Sequence, residues 1–302
     1  MGTSSIEWTE ITWNPTTGCD RVSPGCDNCY ALTLANRLKA MGQAKYQNDG
    51  DPGTSGPGFA ATEHETELEA PLRWTKPSKV FVNSMSDLFH QAFSDEFIAK
   101  AFVVMALTPQ HVYQVLTKRH GRMRSLLNNG ERWHRLLSEA LSWAAGIDRP
   151  IPHERFTEAR RWLYGYLNGS AVPLPNVWLG VSVENQQWAD IRIPALLHTP
   201  AAVRFLSCEP LLGPVDLSDY VQCGADWLGH TCNGCTVDWV IVGGESGRHH
   251  RMLDLAWVRD IRDHCVEQQV PFFFKQVGGL TPKAGGRLLD GRTWNEYPAV
   301  TL

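Results

Sequence analysis

Short apolar runs recur along the chain between longer stretches whose apolar positions fall at helical spacing. The runs are Val80–Asn83 (VFVN), Val112–Leu116 (VYQVL), Val177–Val183 (VWLGVSV), Val203–Leu206 (VRFL), Trp239–Val242 (WVIV) and Pro271–Lys275 (PFFFK). Each is brief and rich in β-branched or aromatic residues, which predicts buried strands. Glu96–Ala106 and Ala256–Gln268 carry helical patterns between strands, and Arg160–Leu167 carries a weaker one. Ala31–Met41 predicts a helix, with Leu32, Leu34, Ala35, Leu38 and Met41 near helical spacing and Gly42 as its stop. Strands alternating with helices predict a mainly parallel α/β sheet. Six strands, with a further one expected near the first cysteines, suit a partial (β/α) barrel, and an open doubly wound sheet is the rival. No internal repeat is found, so residues 1–302 read as a single α/β domain. Residues 125–175 read as a helical insertion with Trp133, Trp143 and Trp162 and proline-rich ends. Residues 47–60 (QNDGDPGTSGPGFA) predict a mobile loop or an insertion.

Every strand run is followed at once by a small polar set. These are Asn83–Asp87, Thr117–His120, Glu184–Gln186, Ser207–Pro210, Gly243–Gly247 and Lys275–Gln276. In parallel α/β folds the C-terminal strand ends share one rim, where sites gather. Helix caps and turns are the plain alternative for any one of these sets.

Composition narrows the class. The chain is 43% hydrophobic and 20% charged, which excludes disordered, collagen-like and coiled-coil classes. A formal charge of −4 excludes a strongly basic nucleic-acid binder but not a local basic patch. No apolar run approaches the roughly 20 residues of a membrane span. Met1 to Glu10 is polar and acidic without a signal-peptide core. A soluble, cytoplasmic chain with no membrane partner is expected.

Of the eight cysteines, six fall in two clusters. Cys19, Cys26 and Cys29 are spaced C-x6-C-x2-C in WNPTTGCDRVSPGCDNCYA. Three thiolates can hold three irons of a [4Fe–4S] cluster and leave the fourth open for substrate or cofactor. Gly18, Pro24 and Gly25 give a tight backbone, and the N-terminus of the following helix favours negative charge. A zinc knot is a rival, although no fourth Cys or His lies close in sequence, and plain buried thiols are another. The second set, Cys223, His230, Cys232 and Cys235, lies within 218–236 and reads as a metal-stapled loop. Four ligands of this kind suit a closed Zn²⁺ site; a second iron–sulfur cluster or no metal are the alternatives. Cys208 and Cys265 read as small core residues.

The motif N-P-x-x-G-C followed by C-x2-C-Y-A resembles the cluster loop of radical S-adenosylmethionine (SAM) enzymes, including the spore-photoproduct-lyase-like branch. The chain more closely resembles a phage-associated family of uncharacterised proteins with a three-cysteine motif. NPTTGCDRVSPGCDNCYA, VFVNSMSDLFH, FLSCEPLLGPVDL and WVIVGGESG carry that similarity, followed by FFFKQVGG and GRLLDGRTWNEYP. It spans nearly the full length except residues 43–60 and 125–175. The resemblance implies a partial (β/α) barrel of radical SAM type, Cys19, Cys26 and Cys29 as ligands of one [4Fe–4S] cluster, and SAM on the open iron. It also implies an external electron donor, since reductive cleavage of SAM to a hydrogen-abstracting radical consumes an electron. The chain departs from the radical SAM pattern in three places. The first gap is six residues instead of three, Asn28 stands where an aromatic residue is usual, and Gly243-Gly244-Glu245 comes late, with Asn83–Asp87 after the early strand.

On the barrel reading, Ser84 and Asp87 lie where the SAM amino group would sit, and capping is the plain role of Asp87. Lys118 and Arg119 could meet a carboxylate or phosphate, or form a solvated face. Glu184 and Glu209 end neighbouring strands and suit a ribose hydroxyl, acid–base work or a structural role. Gly243 and Gly244 allow close backbone approach beside Glu245, or simply turn the chain. Lys275 leaves an apolar strand, where an unpaired charge is costly, so Lys275 and Glu209 are the catalytic candidates. Residues 118–135 hold Lys118, Arg119, Arg122, Arg124, Arg132 and Arg135 against Glu131. They could follow a phosphate backbone while Trp133 and Trp143 stack bases; the alternative is a solvated helix face over a tryptophan core. The leading expectation is an iron–sulfur enzyme of radical SAM type that modifies or repairs a nucleic acid or nucleotide. A metal-stabilised binding protein acting with a phage or host partner, and a cluster used only for structure or electron transfer, are the alternatives.

Overall fold

The computed structural model describes residues 4–149, 151–167, 173–221 and 236–299. In chain order the elements are β1 Ile11–Trp13, β2 Thr16–Thr17, α1 Tyr30–Ala40, β3 Thr62–Glu63, α2 Glu65–Leu68, β4 Lys79–Val82, α3 Asp95–Ala106, β5 Val112–Thr117, α4 His120–Leu127, α5 Gly130–Ala145, α6 His153–Leu167, β6 Val177–Ser182, α7 Gln186–Leu197, β7 Val203–Cys208, α8 Ser218–Val221, β8 Trp239–Gly243, α9 Leu255–Glu267 and β9 Phe272–Gln276. Among the described residues, seven strands form one sheet in the order β1-β4-β5-β6-β7-β8-β9. Every neighbouring pair is parallel. The spatial order follows the chain order, so there is no reversal point of the kind a doubly wound sheet needs. The sheet curls into a half-barrel. The six expected strands are all present within one or two residues, and β1 is the further one beside the cysteines. No described helix is long and apolar enough to cross a membrane.

Local chemistry starts the helices where side chains can satisfy free amides. Ser94 accepts from the Phe97 amide at the start of α3, Asn185 from Trp188 at α7, and Asp254 from Ala256 at α9. The link from β5 to β6 holds the three helices α4, α5 and α6. There α5 packs on α3 and α6 packs on α5. Trp133 is fully buried in this stack, edge-on to Phe102 at 5.2 Å between ring centroids. It belongs to the core and offers no face for stacking a base, so the stacking role considered for it is corrected.

Side chains on each strand alternate between two separate cores. The outer core joins Val80, Val82, Val115, Leu179, Leu206, Val240 and Phe274 to the helices. The inner one contains Trp8, Phe81, Trp178, Phe205, Trp239, Ile241 and Phe273, and no helix residue belongs to it. It is therefore the concave face. Gly180 on β6 makes room for it, since a Cβ there would meet the Phe205 ring at 2.5 Å. Trp239 stands at the centre, with Trp8, Trp178, Phe205, Phe273 and Tyr297 all within 6.3 Å between centroids.

Inward positions grade from apolar to polar along the strand direction. β6 gives Trp178, Gly180, Ser182 and then Glu184; β7 gives Phe205, Ser207 and then Glu209; β9 gives Phe273 and then Lys275. The aromatic half closes the bottom, and the polar half forms the mouth. Trp239→Ala should remove the hub of this plug at a cost of about 3–5 kcal/mol. Urea unfolding of the variant should show that loss in midpoint stability.

Candidate functional site

The segment that carries the three cysteines lies across the mouth of the half-barrel, and its motif residues have physical reasons. The Asn14 side-chain oxygen accepts from the Met85 amide at 3.0 Å and from Ser84 Oγ at 3.2 Å, which ties the loop to the tail of β4. Gly18 has φ +83°, and a Cβ there would lie 2.0 Å from the Ala60 carbonyl oxygen, so conformation and space both require glycine. Pro24 opens a single 3-10 turn ending at Cys26. Cys29 is the N-cap residue of α1 and its thiol makes no capping bond. All three thiols are free and half-buried.

Residues 47–60 are packed, unlike the mobile loop that is one expectation from their composition. Arg21 donates its amide to the Thr54 carbonyl at 2.7 Å, Thr54 Oγ1 donates to Asp20 Oδ1 at 2.8 Å, and Phe59 is buried against α1. Their glycines and Asp residues instead form tight turns that back the cysteine loop.

Three strand ends hold this loop from below. After β6, Glu184 is fully buried. Its Oε1 accepts from Ser23 Oγ at 2.6 Å, and its Oε2 from Arg192 at 2.8 Å. The Lys118 ammonium stands 3.4 Å away. Arg192, also fully buried, stacks its guanidinium 4.0 Å from the Trp188 ring centre. After β5, Arg119 donates to the Asp20 carbonyl at 3.1 Å and approaches Cys19 Sγ at 3.6 Å. After β8, Glu245 accepts from Asn28 at 2.9 Å and from Arg251 through both oxygens. Arg251 also reaches the Pro24 carbonyl at 2.8 Å and stands 3.4 Å from Asp27. Burial opposes ionisation of Glu245, but the bonds from Arg251 and Asn28 outweigh it and hold the carboxyl below its ordinary range. Burial, with Asp87 nearby, pushes the Cys19 thiol up to about 12, and Arg119 only partly offsets this.

Several expected ligand-binding residues therefore carry structural bonds. Asp87 accepts from Thr117 Oγ1 at 2.7 Å and from the Lys118 and Phe89 amides; no helix follows Leu88, since α3 starts at Asp95 on the Ser94 cap, so the capping role expected of Asp87 is corrected to a tie between the ends of β4 and β5. Ser84 bonds Asn14 and receives the Tyr30 hydroxyl on its carbonyl. A Cβ on Gly243 would meet Glu209 Oε1 at 2.8 Å, and one on Gly244 the Val277 carbonyl oxygen at 1.9 Å. Both glycines admit protein neighbours. Cys208 and Cys265 are core residues, as read. Cys223, His230, Cys232 and Cys235 lie outside the described residues.

Beneath the loop lies a cavity of about 190 Å³. Cys29, Asn28 and Gly25 form its roof, and Trp8, Phe81 and Leu116 line its lower part. Lys118, Glu209 and Lys275 reach it from the strands. Lys275 Nζ stands 2.9 Å from Glu209 Oε1, so the two catalytic candidates meet. Glu209 Oε2 accepts from Trp8 Nε1 and Ser207 Oγ, each at 3.2 Å.

Sequence reasoning missed Arg192, Arg251, Ser23 and Trp8. Arg192 left a signal, because Ala189, Ile193 and Leu196 place it on an apolar helical stripe where a cation must find a partner. Arg251 and Trp8 left none, since each meets its carboxylate only through the fold.

Among the described residues, no three His, Cys, Asp or Glu side chains converge on one metal ion. A cubane cluster makes a different demand, because each thiolate binds its own iron. Three soft thiols on one glycine-bearing loop beside a helix N-terminus, with Arg119 at Cys19, fit that demand.

Two outcomes follow from the clamp. Gly25→Ala would place a Cβ 2.5 Å from Glu184 Oε1, and such overpacking costs about 1–3 kcal/mol. Hydrogen exchange should quicken over residues 18–29 and stay unchanged in the strands. Glu245 titrates lower in the folded chain than at its ordinary 4.5. Its stabilisation is therefore complete above that value and lost as pH falls through the lower folded one. Arg251→Met should move the Glu245 titration upward, as followed by carboxyl-carbon NMR.

No curated protein and no solved structure matches the chain. The sequence model of one family matches residues 3–298, nearly the whole length. The chain belongs to that family, described as protein of unknown function (DUF5131).

Proposed function

We propose that the protein is an iron–sulfur enzyme of radical SAM type that modifies or repairs a nucleic acid or nucleotide. The observation that carries this reading is a loop with three free thiols at the C-terminal mouth of a parallel half-barrel, with Cys29 lining the cavity there. Sites in such folds gather at that mouth. The resemblance of the cysteine loop to radical SAM enzymes supplies the chemistry.

Cys19, Cys26 and Cys29 would hold the cluster. When bound, it would deliver an electron from an external donor to SAM, splitting it into methionine and a hydrogen-abstracting 5′-deoxyadenosyl radical. The chain's own residues do the rest. Glu184, Arg119 and the Glu245–Arg251 pair fix the loop from three directions, which holds Cys29 at the cavity. The aromatic plug closes the bottom against water, which protects any reactive species in the chamber. Lys118 is paired to Glu184 and lines the cavity, where its ammonium can also face a carboxylate or phosphate. Lys275 and Glu209 stand deeper, suited to holding or exchanging a proton with a substrate.

The test is anaerobic purification, with iron, sulfide and zinc measured in one sample and 5′-deoxyadenosine assayed after reduction with SAM. About four irons per chain are expected, as one cubane requires. Product should form with the native chain and be lost in Cys19→Ala, Cys26→Ala and Cys29→Ala. Intact SAM on a loaded cluster would leave a structural or electron-transfer role, and zinc without iron would overturn the enzyme reading.

A further inference from the structure

The cations around the mouth are of two kinds. Lys118 stands 3.4 Å from Glu184, Lys275 2.9 Å from Glu209, and Arg251 2.6 Å from Glu245. Arg122 pairs with Asp95 at 2.6 Å. Each of these charges is met by a carboxylate. Arg119, half-buried at the end of β5, forms no ion pair among the described residues. Its Nη2 donates to the Asp20 carbonyl at 3.1 Å and to Cys19 Sγ at 3.6 Å. Its Nε–H is buried and meets no acceptor among the described residues. The acids nearby are engaged elsewhere. Asp20 bonds His90 and Thr54, and Asp87 accepts from Thr117 and the Lys118 amide.

A guanidinium that meets a thiol and a carbonyl but no anion is a costly arrangement for the chain alone. Three thiolates carrying a [4Fe–4S] core would supply the missing anion, and their sulfurs would take the unused donor capacity. The other two cysteines have no such partner. Cys26 has only the Ser23 hydroxyl, at 4.0 Å, and no cation donates a hydrogen bond to Cys29 among the described residues. Reduction adds one negative charge to a cluster. A neighbouring cation, and an N–H on a ligand sulfur, favour that reduced state and raise the potential.

We propose that Arg119 sets the reduction potential of the cluster through Cys19, and with it which external electron donors can reduce the protein. Its N–H on the Cys19 sulfur and its unshared charge stabilise [4Fe–4S]⁺ over [4Fe–4S]²⁺ in this one-electron couple. A milder donor then suffices than the loop would need without it. Arg119 acts through a ligand of the cluster, so it is a positioning residue and not a catalytic one. The assignment rests on the iron–sulfur reading of the loop and does not depend on SAM cleavage or on the substrate.

The test is an EPR-monitored redox titration of the anaerobic full-length protein, reduced with dithionite through mediators and without SAM. Arg119→Met should lower the reduced-to-oxidised ratio at a fixed potential at least tenfold, a fall of about 59 mV in midpoint for one electron. Arg119→Lys keeps the charge and should recover part of that fall. Arg135→Met removes an equal charge from an exposed pair on α5 and should leave the midpoint in place. A merely structural Arg119 would change how much cluster is held, and not the midpoint of the cluster that is held. One measurement needs no variant, so it decides even where Arg119→Met loads no cluster. In protein labelled with ¹⁵N-arginine, pulsed EPR of the reduced cluster should show a coupled ¹⁵N nucleus. A native midpoint in loaded Arg119→Met, an equal fall in Arg135→Met, or no ¹⁵N coupling would overturn the assignment and leave the iron–sulfur reading standing. A native chain that holds no [4Fe–4S] cluster would remove both.

Discussion

The buried carboxylate of Glu184 is the constraint on which the mouth of the half-barrel depends. A fully desolvated charge is tolerable only when opposite charge and hydrogen bonds surround it. Here the partners come from three parts of the chain: Ser23 from the cysteine loop, Lys118 from the end of β5, and Arg192 from α7. Such an ion pair adds little net stability over a well-packed apolar substitute. What it adds is position. The loop can dock only where Ser23 reaches Oε1 and Gly25 fits against the carboxylate. The spacing of Cys26 and Cys29 from the barrel follows from that docking.

The other rim residues sort themselves around this clamp. Positions that sequence alone would give to a cofactor, such as Asp87 and Glu245, carry bonds to the protein, and Gly243 and Gly244 admit Glu209 and Val277. A rim that must hold an extended loop has fewer groups left for ligands. Six residues between Cys19 and Cys26 make a wide loop, which needs several side chains to fix it. Asn28 is one of those fixing groups through its bond to Glu245.

Much of the fold was legible because the β strands here are short apolar runs with polar tails, a pattern that needs no tertiary knowledge. Val112–Thr117 and Trp239–Gly243 could be read almost to the residue. The helix α7 was not, because Arg192 and Pro194 interrupt its apolar stripe. Residues 47–60 misled for a related reason: glycine, proline and aspartate mark turns, but composition does not say whether the turns are packed. The cysteine triplet was visible from spacing. Its supports were not, since Arg251 meets Pro24, and Trp8 meets Glu209, across about two hundred residues of chain.

The basic run at residues 118–135 bears on how any nucleic acid would be recognised. Read as a list, it is a phosphate-tracking patch. In the fold, Lys118 faces Glu184, Arg119 faces the cysteine loop, Arg122 and Arg132 share Asp95, and Arg135 pairs with Glu139. Cations paired within the protein displace fewer counterions from a phosphate backbone. Arg124 has no ion pair among the described residues, but Lys118, Arg122, Arg132 and Arg135 offer less of that affinity than the bare run suggests. The overall charge of −4 works in the same direction.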